Sequence, residues 1–175
     1  MKKVGNATIL YLDMDGVTAD FYSLLSSWFK VQHWKEIKTR KEILERLKGS
    51  SFFSEIPEFE NTIQFYQLVD SMAKRNNASW SILSTPLQGD FDNSVKHKNI
   101  WLDRVFEKAN VQAENRFFSH QKWKWSKRGT VLVDDRPKNI NDFIERGEGE
   151  GIRFQNGESK MPKFISRLQQ FLENK

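Results

Sequence analysis

Thr8-Ile9-Leu10-Tyr11-Leu12-Asp13-Met14-Asp15-Gly16-Val17 is a short strand-forming run that ends abruptly in two acids and a glycine. A continuous apolar run of this length suits a strand buried on both faces, because a strand with one wet face alternates. The two carboxylates then fall just beyond its carboxyl end. The arrangement recurs along the chain. Trp80-Ser81-Ile82-Leu83 ends at Ser84-Thr85-Pro86, and Thr130-Val131-Leu132-Val133 ends at Asp134-Asp135. Arg116-Phe117-Phe118 and Gly151-Ile152-Arg153-Phe154 are weaker strand candidates.

Helical spacing fills the intervals. Trp101, Leu102, Val105 and Phe106 share one face, and Pro137 stands near a helix start whose apolar face is Ile140, Phe143 and Ile144. Phe164, Ile165, Leu168, Phe171 and Leu172 mark a C-terminal helix. Strands alternating with helices predict an α/β fold, a three-layer Rossmann-like sandwich with a parallel sheet between helical layers. Residues 22–78 break the alternation. They carry helical patterns (Ile43, Leu44 and Leu47, then Phe65, Leu68, Val69 and Met72) and no convincing strand. A small helical cap over 22–78, inserted into a core of residues 1–21 and 79–175, is the expected organisation.

The chain has 175 residues, enough for one domain with a full core. It contains no cysteine, which excludes disulfides and thiolate-bound zinc. No apolar run approaches the roughly 18 residues that cross a bilayer. The stretch Met1-Lys2-Lys3-Val4-Gly5-Asn6-Ala7 lacks a signal-type apolar segment, so a cytoplasmic, membrane-free protein is expected. The formal charge of +5 fits a surplus of solvated lysines, a small anionic substrate or, less directly, nucleic acid. Oligomeric state is not readable.

Ligands of open parallel sheets bind beyond the carboxyl ends of the strands, at the topological switch point. Asp13 and Asp15, Ser84 and Thr85, and Asp134 and Asp135 would therefore converge. Crowded carboxylates repel unless a cation or proton intervenes. An all-oxygen donor set without His or Cys suits a hard ion, and Mg²⁺ is the usual choice where a phosphate completes its shell. A calcium loop fails on spacing: counted from Asp13, the glycine comes two places early and Leu24 replaces the closing glutamate. Gly147-Glu148-Gly149-Glu150-Gly151 follows a helix and precedes a strand, the reverse of a dinucleotide fingerprint.

These segments resemble the four motifs of the haloacid-dehalogenase-like (HAD) phosphohydrolases, over about residues 8 to 155. Asp13-Met14-Asp15-Gly16-Val17 looks like the first motif, Ser84 the second, a lysine the third and Asp134-Asp135 the fourth. With Thr18-Ala19-Asp20-Phe21, Thr85-Pro86 and Arg136-Pro137 added, the chain is most similar to the 5′(3′)-deoxyribonucleotidases and their bacterial and phage relatives. The resemblance implies Asp13 as a nucleophile that forms an aspartyl-phosphate, and Asp15 as general acid and base. It implies Mg²⁺ held by Asp13, the Asp15 backbone carbonyl and Asp134, with Asp135 behind them. Ser84 and a lysine would contact the phosphoryl oxygens. Dehalogenases and phosphonate hydrolases of this superfamily generally lack the second acid, so Asp15 favours phosphate esters.

Several positions stay open on sequence alone. Lys122 in Ser119-His120-Gln121-Lys122 matches the third motif, with Lys124 as the alternative and His120 as a loop residue. Lys122-Trp123-Lys124-Trp125 reads equally as a surface strip. Lys98 matches a substrate-side basic position of the family, or else faces solvent on its helix. Phe21 corresponds to an apolar residue beside the base, or else is core, and Asp20 suits a cap. Thr85 would accompany Ser84 at the substrate. The expected activity is dephosphorylation of a nucleoside monophosphate, a deoxyribonucleotide above all. Another small phosphate ester, a nucleic-acid terminal phosphate and a non-catalytic nucleotide-binding module are the alternatives.

Overall fold

The computed structural model describes residues 8–157 and 160–173; the N-terminal heptad read above lies outside them. Five parallel strands, β1 (Thr8–Leu12), β2 (Ala78–Ser84), β3 (Arg116–Phe118), β4 (Thr130–Asp134) and β5 (Glu150–Arg153), form one sheet in the order β3-β2-β1-β4-β5. All five runs identified in the sequence are strands. The chain builds outward from β1 through β2 to β3, then returns to the other side of β1 for β4 and β5. The switch point is therefore the gap between β1 and β4, where Leu12 pairs with Val133.

Period-two alternation divides the core. Leu10, Leu12, Ile82, Val131 and Val133 join a large buried cluster on one face. Tyr11, Leu83 and Leu132 point the other way, onto Ile140 and Phe143 of α6 (Pro137–Glu145). The large cluster takes in α4 (Thr62–Arg75), α5 (Phe91–Ala109) and α7 (Met161–Glu173), whose Phe65, Trp101 and Phe164 are buried. Helices thus cover both faces, the three-layer arrangement expected.

The segment between β1 and β2 holds four α-helices: α1 (Phe21–Phe29), α2 (Arg40–Leu47), α3 (Phe52–Glu55) and α4. Its parts behave differently. Helix α4 belongs to the sheet-covering layer: Phe65 stacks on Phe154 and Phe164, and Tyr66 on Trp80. Helices α1 to α3 and the 3₁₀ turn Trp34–Glu36 stand at the carboxyl end of the sheet, where Leu25, Leu47 and Phe53 wall a cavity. Asp20 caps α1 by accepting from the Ser23 amide at 3.3 Å. Among the described residues, no helix is long and apolar enough to cross a membrane.

Candidate active site

The loop after β1 is wound tightly by its own backbone. The Met14 carbonyl accepts from the amides of Val17, Thr18 and Ala19 at 2.8–3.1 Å, and the Gly16 amide donates back to the Ala19 carbonyl. Met14, Val17 and Ala19 are fully buried beneath it. The loop therefore cannot drift, and Asp13 and Asp15 are aimed by packing. Gly16 sits at φ +79°, and a Cβ there would fall 2.4 Å from Asp135 Oδ2. Only glycine lets the two loops approach this closely.

Asp134 is fully buried, and both its oxygens are taken. Lys122 Nζ donates to Oδ2 at 2.6 Å, the Arg136 amide donates to Oδ1 at 2.9 Å, and Asn139 Nδ2 reaches both. Lys122 also lies 2.9 Å from Asp13 Oδ1, though off the hydrogen-bonding direction. Asp135 differs: its Oδ2 accepts from the Tyr22 hydroxyl at 3.2 Å, while its buried Oδ1 has no hydrogen-bond partner. On the opposite side Lys98, fully buried on α5, donates to Asp15 Oδ2 at 2.6 Å and to Ser84 Oγ at 3.0 Å. Its ammonium also lies over the Phe53 ring at 4.7 Å.

The structure thus brings Asp13, Asp15, Ser84, Lys98, Lys122, Asp134 and Asp135 together. Lys124 is exposed and lies over Trp123, so of the two candidate lysines Lys122 is the one at the carboxylates. The solvent-facing reading of Lys98 is excluded by its burial. Phe21 packs edge-on against Phe52 and also lines the cavity above Asp13 and Asp15. Thr85 and His120 line that cavity too. Trp125 instead packs on Phe117, and Trp123 under Arg146. Sequence reasoning missed Tyr22 and Asn139, whose side-chain partners are Asp135 and Asp134. Nothing local marks either one, although Asn139 stands one helical turn beyond the fourth motif.

Electrostatics follow from the burial. Burial, then the neighbouring Asp13 and Asp134 charges, push Asp135 up to about 8. Burial also raises Asp15, against the pull of Lys98. For Lys122, burial opposes the charge, but Asp13 and Asp134 more than offset it and hold the ammonium above its ordinary range. Four carboxylates, when ionised, face two ammoniums, a deficit that a divalent cation matches. Oxygens of Asp13, Asp134 and Asp135 lie within 4.8 Å of one another. Buried oxygens without a hydrogen-bond partner on Asp13 (ion-paired with Lys122), Asp15 and Asp135 complete a donor set that fits a hard cation such as Mg²⁺.

Above these groups lies a cavity of about 360 Å³, walled by Phe21, Tyr22, Leu25, Trp34 and Phe53, with Arg40 and Gln88 at a polar edge. Arg40 Nη2 donates to Gln88 Oε1 at 2.9 Å. Tyr22 and Trp34 stack at 4.9 Å and separate this cavity from an open groove of about 1000 Å³ that carries Lys35, Lys138 and Arg153.

Comparison with known proteins adds three findings. The family described as 5′ nucleotidase, deoxy (pyrimidine), cytosolic type C protein matches residues 7–173. No curated protein sequence matches the chain. Among solved structures, the HAD-hydrolase YfnB of Bacillus subtilis, crystallised with magnesium, is similar at 10% identity over 95% of this chain and 99% of that one, with a TM-score of 0.52. A crystallised dehalogenase is similar at 11% identity over 94% and 96% of the two chains, with a TM-score of 0.53. At these identities the likeness is one of fold.

Proposed function

The chain belongs to the 5′ nucleotidase, deoxy (pyrimidine), cytosolic type C protein family, and from that we propose that it hydrolyses nucleoside monophosphates with Asp13 as nucleophile. Membership makes it a phosphatase of the nucleotidase kind; the mechanism and the substrate are our reading. One observation carries it. Two acids at the end of β1 are each paired with a different buried lysine, beside a carboxylate oxygen of Asp135 that has no partner.

In this reading an Asp13 oxygen attacks phosphorus, the bond to the leaving oxygen breaks, and Asp15 delivers its proton there. Burial raises the Asp15 pKa, which favours the protonated form this step needs. Water then attacks the aspartyl-phosphate, Asp15 takes the water's proton, and Asp13 and inorganic phosphate are released. Lys122, Lys98 and Ser84 face the charge on the transferring group, and the buried setting makes such contacts strong. Mg²⁺, when bound, would neutralise phosphate charge and polarise its oxygens. Asp13, Asp135 and the Asp15 carbonyl would hold it. Asp135 rather than Asp134 offers the free oxygen, because Lys122, Asn139 and Arg136 already occupy Asp134. That exchanges the roles the sequence suggested for the two acids.

We take α1 to α3 as the cap. Its aromatic walls would stack the base and exclude water. The substrate is then a free cytoplasmic nucleotide, with Thr85 and Phe21 beside it. Phosphate release should be compared across deoxynucleoside and ribonucleoside monophosphates, deoxyribose 5-phosphate and an end-phosphorylated oligonucleotide. Higher kcat/KM on nucleoside monophosphates supports the reading. Equal efficiency on the sugar phosphate sinks base recognition. Preference for the oligonucleotide, falling steeply with salt, would assign the basic groove beside Tyr22 to the substrate instead.

A further inference from the structure

We infer that Tyr22 is a positioning residue that orients the Asp135 carboxylate toward the cation. The inference rests on Asp135 being a ligand, as proposed above. Asp135 follows a strand end, where a carboxylate free to rotate about its last torsion would present either oxygen. Two constraints remove that freedom. The Tyr22 hydroxyl donates to Oδ2 at 3.2 Å, and the missing side chain of Gly16 leaves the space in which that same oxygen sits. Oδ1 is thereby left buried and without a hydrogen-bond partner, on a carboxylate that reaches to within 4.8 Å of the Asp13 and Asp134 oxygens.

Tyr22 is itself held. It is the second residue of α1, stacks on Trp34 at 4.9 Å with the planes 29° apart, and meets Phe21 edge-on at 5.4 Å. Its hydroxyl is therefore a fixed donor, one that orients a ligand without joining the ligand set, and loss of such a partner typically weakens metal binding by about 10- to 100-fold. Because α1 also walls the cavity over Asp13 and Asp15, one side chain links the cation's carboxylate to the leaving-group pocket.

The test titrates Mg²⁺ by calorimetry into the wild-type protein, Tyr22→Phe and Asp135→Asn, with no substrate present. Tyr22→Phe keeps the ring and its stack and removes only the donor. Its dissociation constant for Mg²⁺ should rise at least about 10-fold. The Mg²⁺ concentration for half-maximal turnover should rise in parallel, while kcat at saturating Mg²⁺ falls much less. Wild-type affinity in Tyr22→Phe, with binding lost in Asp135→Asn, overturns the positioning role and leaves the ligand assignment standing. Wild-type affinity in Asp135→Asn overturns the ligand assignment itself.

Discussion

Lys98 Nζ lies 2.6 Å from Asp15 Oδ2 and 3.0 Å from Ser84 Oγ, so one fully buried ammonium ties the loop after β1 to the end of β2. An ammonium there has no water to solvate it, and its charge is met by Asp15, by the hydroxyl and by the Phe53 ring. The pairing governs how easily Asp15 gives up its proton.

Lys98→Met tests that consequence. Removing the cation raises the Asp15 pKa further, since Lys98 opposes the effect of burial. The protonated acid still serves bond cleavage, but the second step needs ionised Asp15. Turnover should therefore drop about 10²-fold or more, with a burst of product as the aspartyl-phosphate accumulates, and raising the pH should relieve the block. Rapid-mix kinetics would show it; a uniform slowing without a burst contradicts the assignment.

Asp13→Asn retains the shape of the nucleophile without its charge. Phosphate release should fall by about 10³-fold or more while circular dichroism stays native. Near-wild-type turnover, with the amide confirmed intact by mass spectrometry, rules out covalent catalysis by Asp13.

Gly16→Ala combines a left-handed backbone with a Cβ 2.4 Å from Asp135 Oδ2. Strain of this kind costs about 1–3 kcal/mol, and relief requires Asp135 to move. The melting temperature should fall and Mg²⁺ binding should weaken together. A variant with wild-type stability and metal affinity would show that the loops need not approach closely.

Asp135, at 3.8 when free, rises to about 8 in the folded protein without metal. Between those values the folded chain keeps a proton that the unfolded chain has lost. The resulting stability is full below about pH 4, declines as pH rises and is gone above about 8. Asp15 is shifted in the same direction. The melting temperature of metal-free protein should thus fall from about pH 5 to about 8.5, and saturating Mg²⁺ should flatten the decline by replacing the proton. Equal slopes with and without Mg²⁺ exclude this account.

Strand positions, parallel class and the acids at the ends of β1 and β4 were all legible along the chain. Each is a local signal, a short apolar run followed at once by oxygen-bearing residues. Contacts between distant segments were not. Lys122 and Lys124 look alike in sequence, yet the 3₁₀ turn Lys122–Trp125 sends the first to Asp13 and leaves the second outside. Adjacent acids at a strand end diverge, so Asp134 meets Lys122 and Asn139 while Asp135 keeps an oxygen free. Tyr22 carried no signal at all, because its partner stands 113 residues away. Local propensity specifies where backbone elements start and stop, whereas the partner of a buried charge is chosen by packing, which only the folded chain brings together.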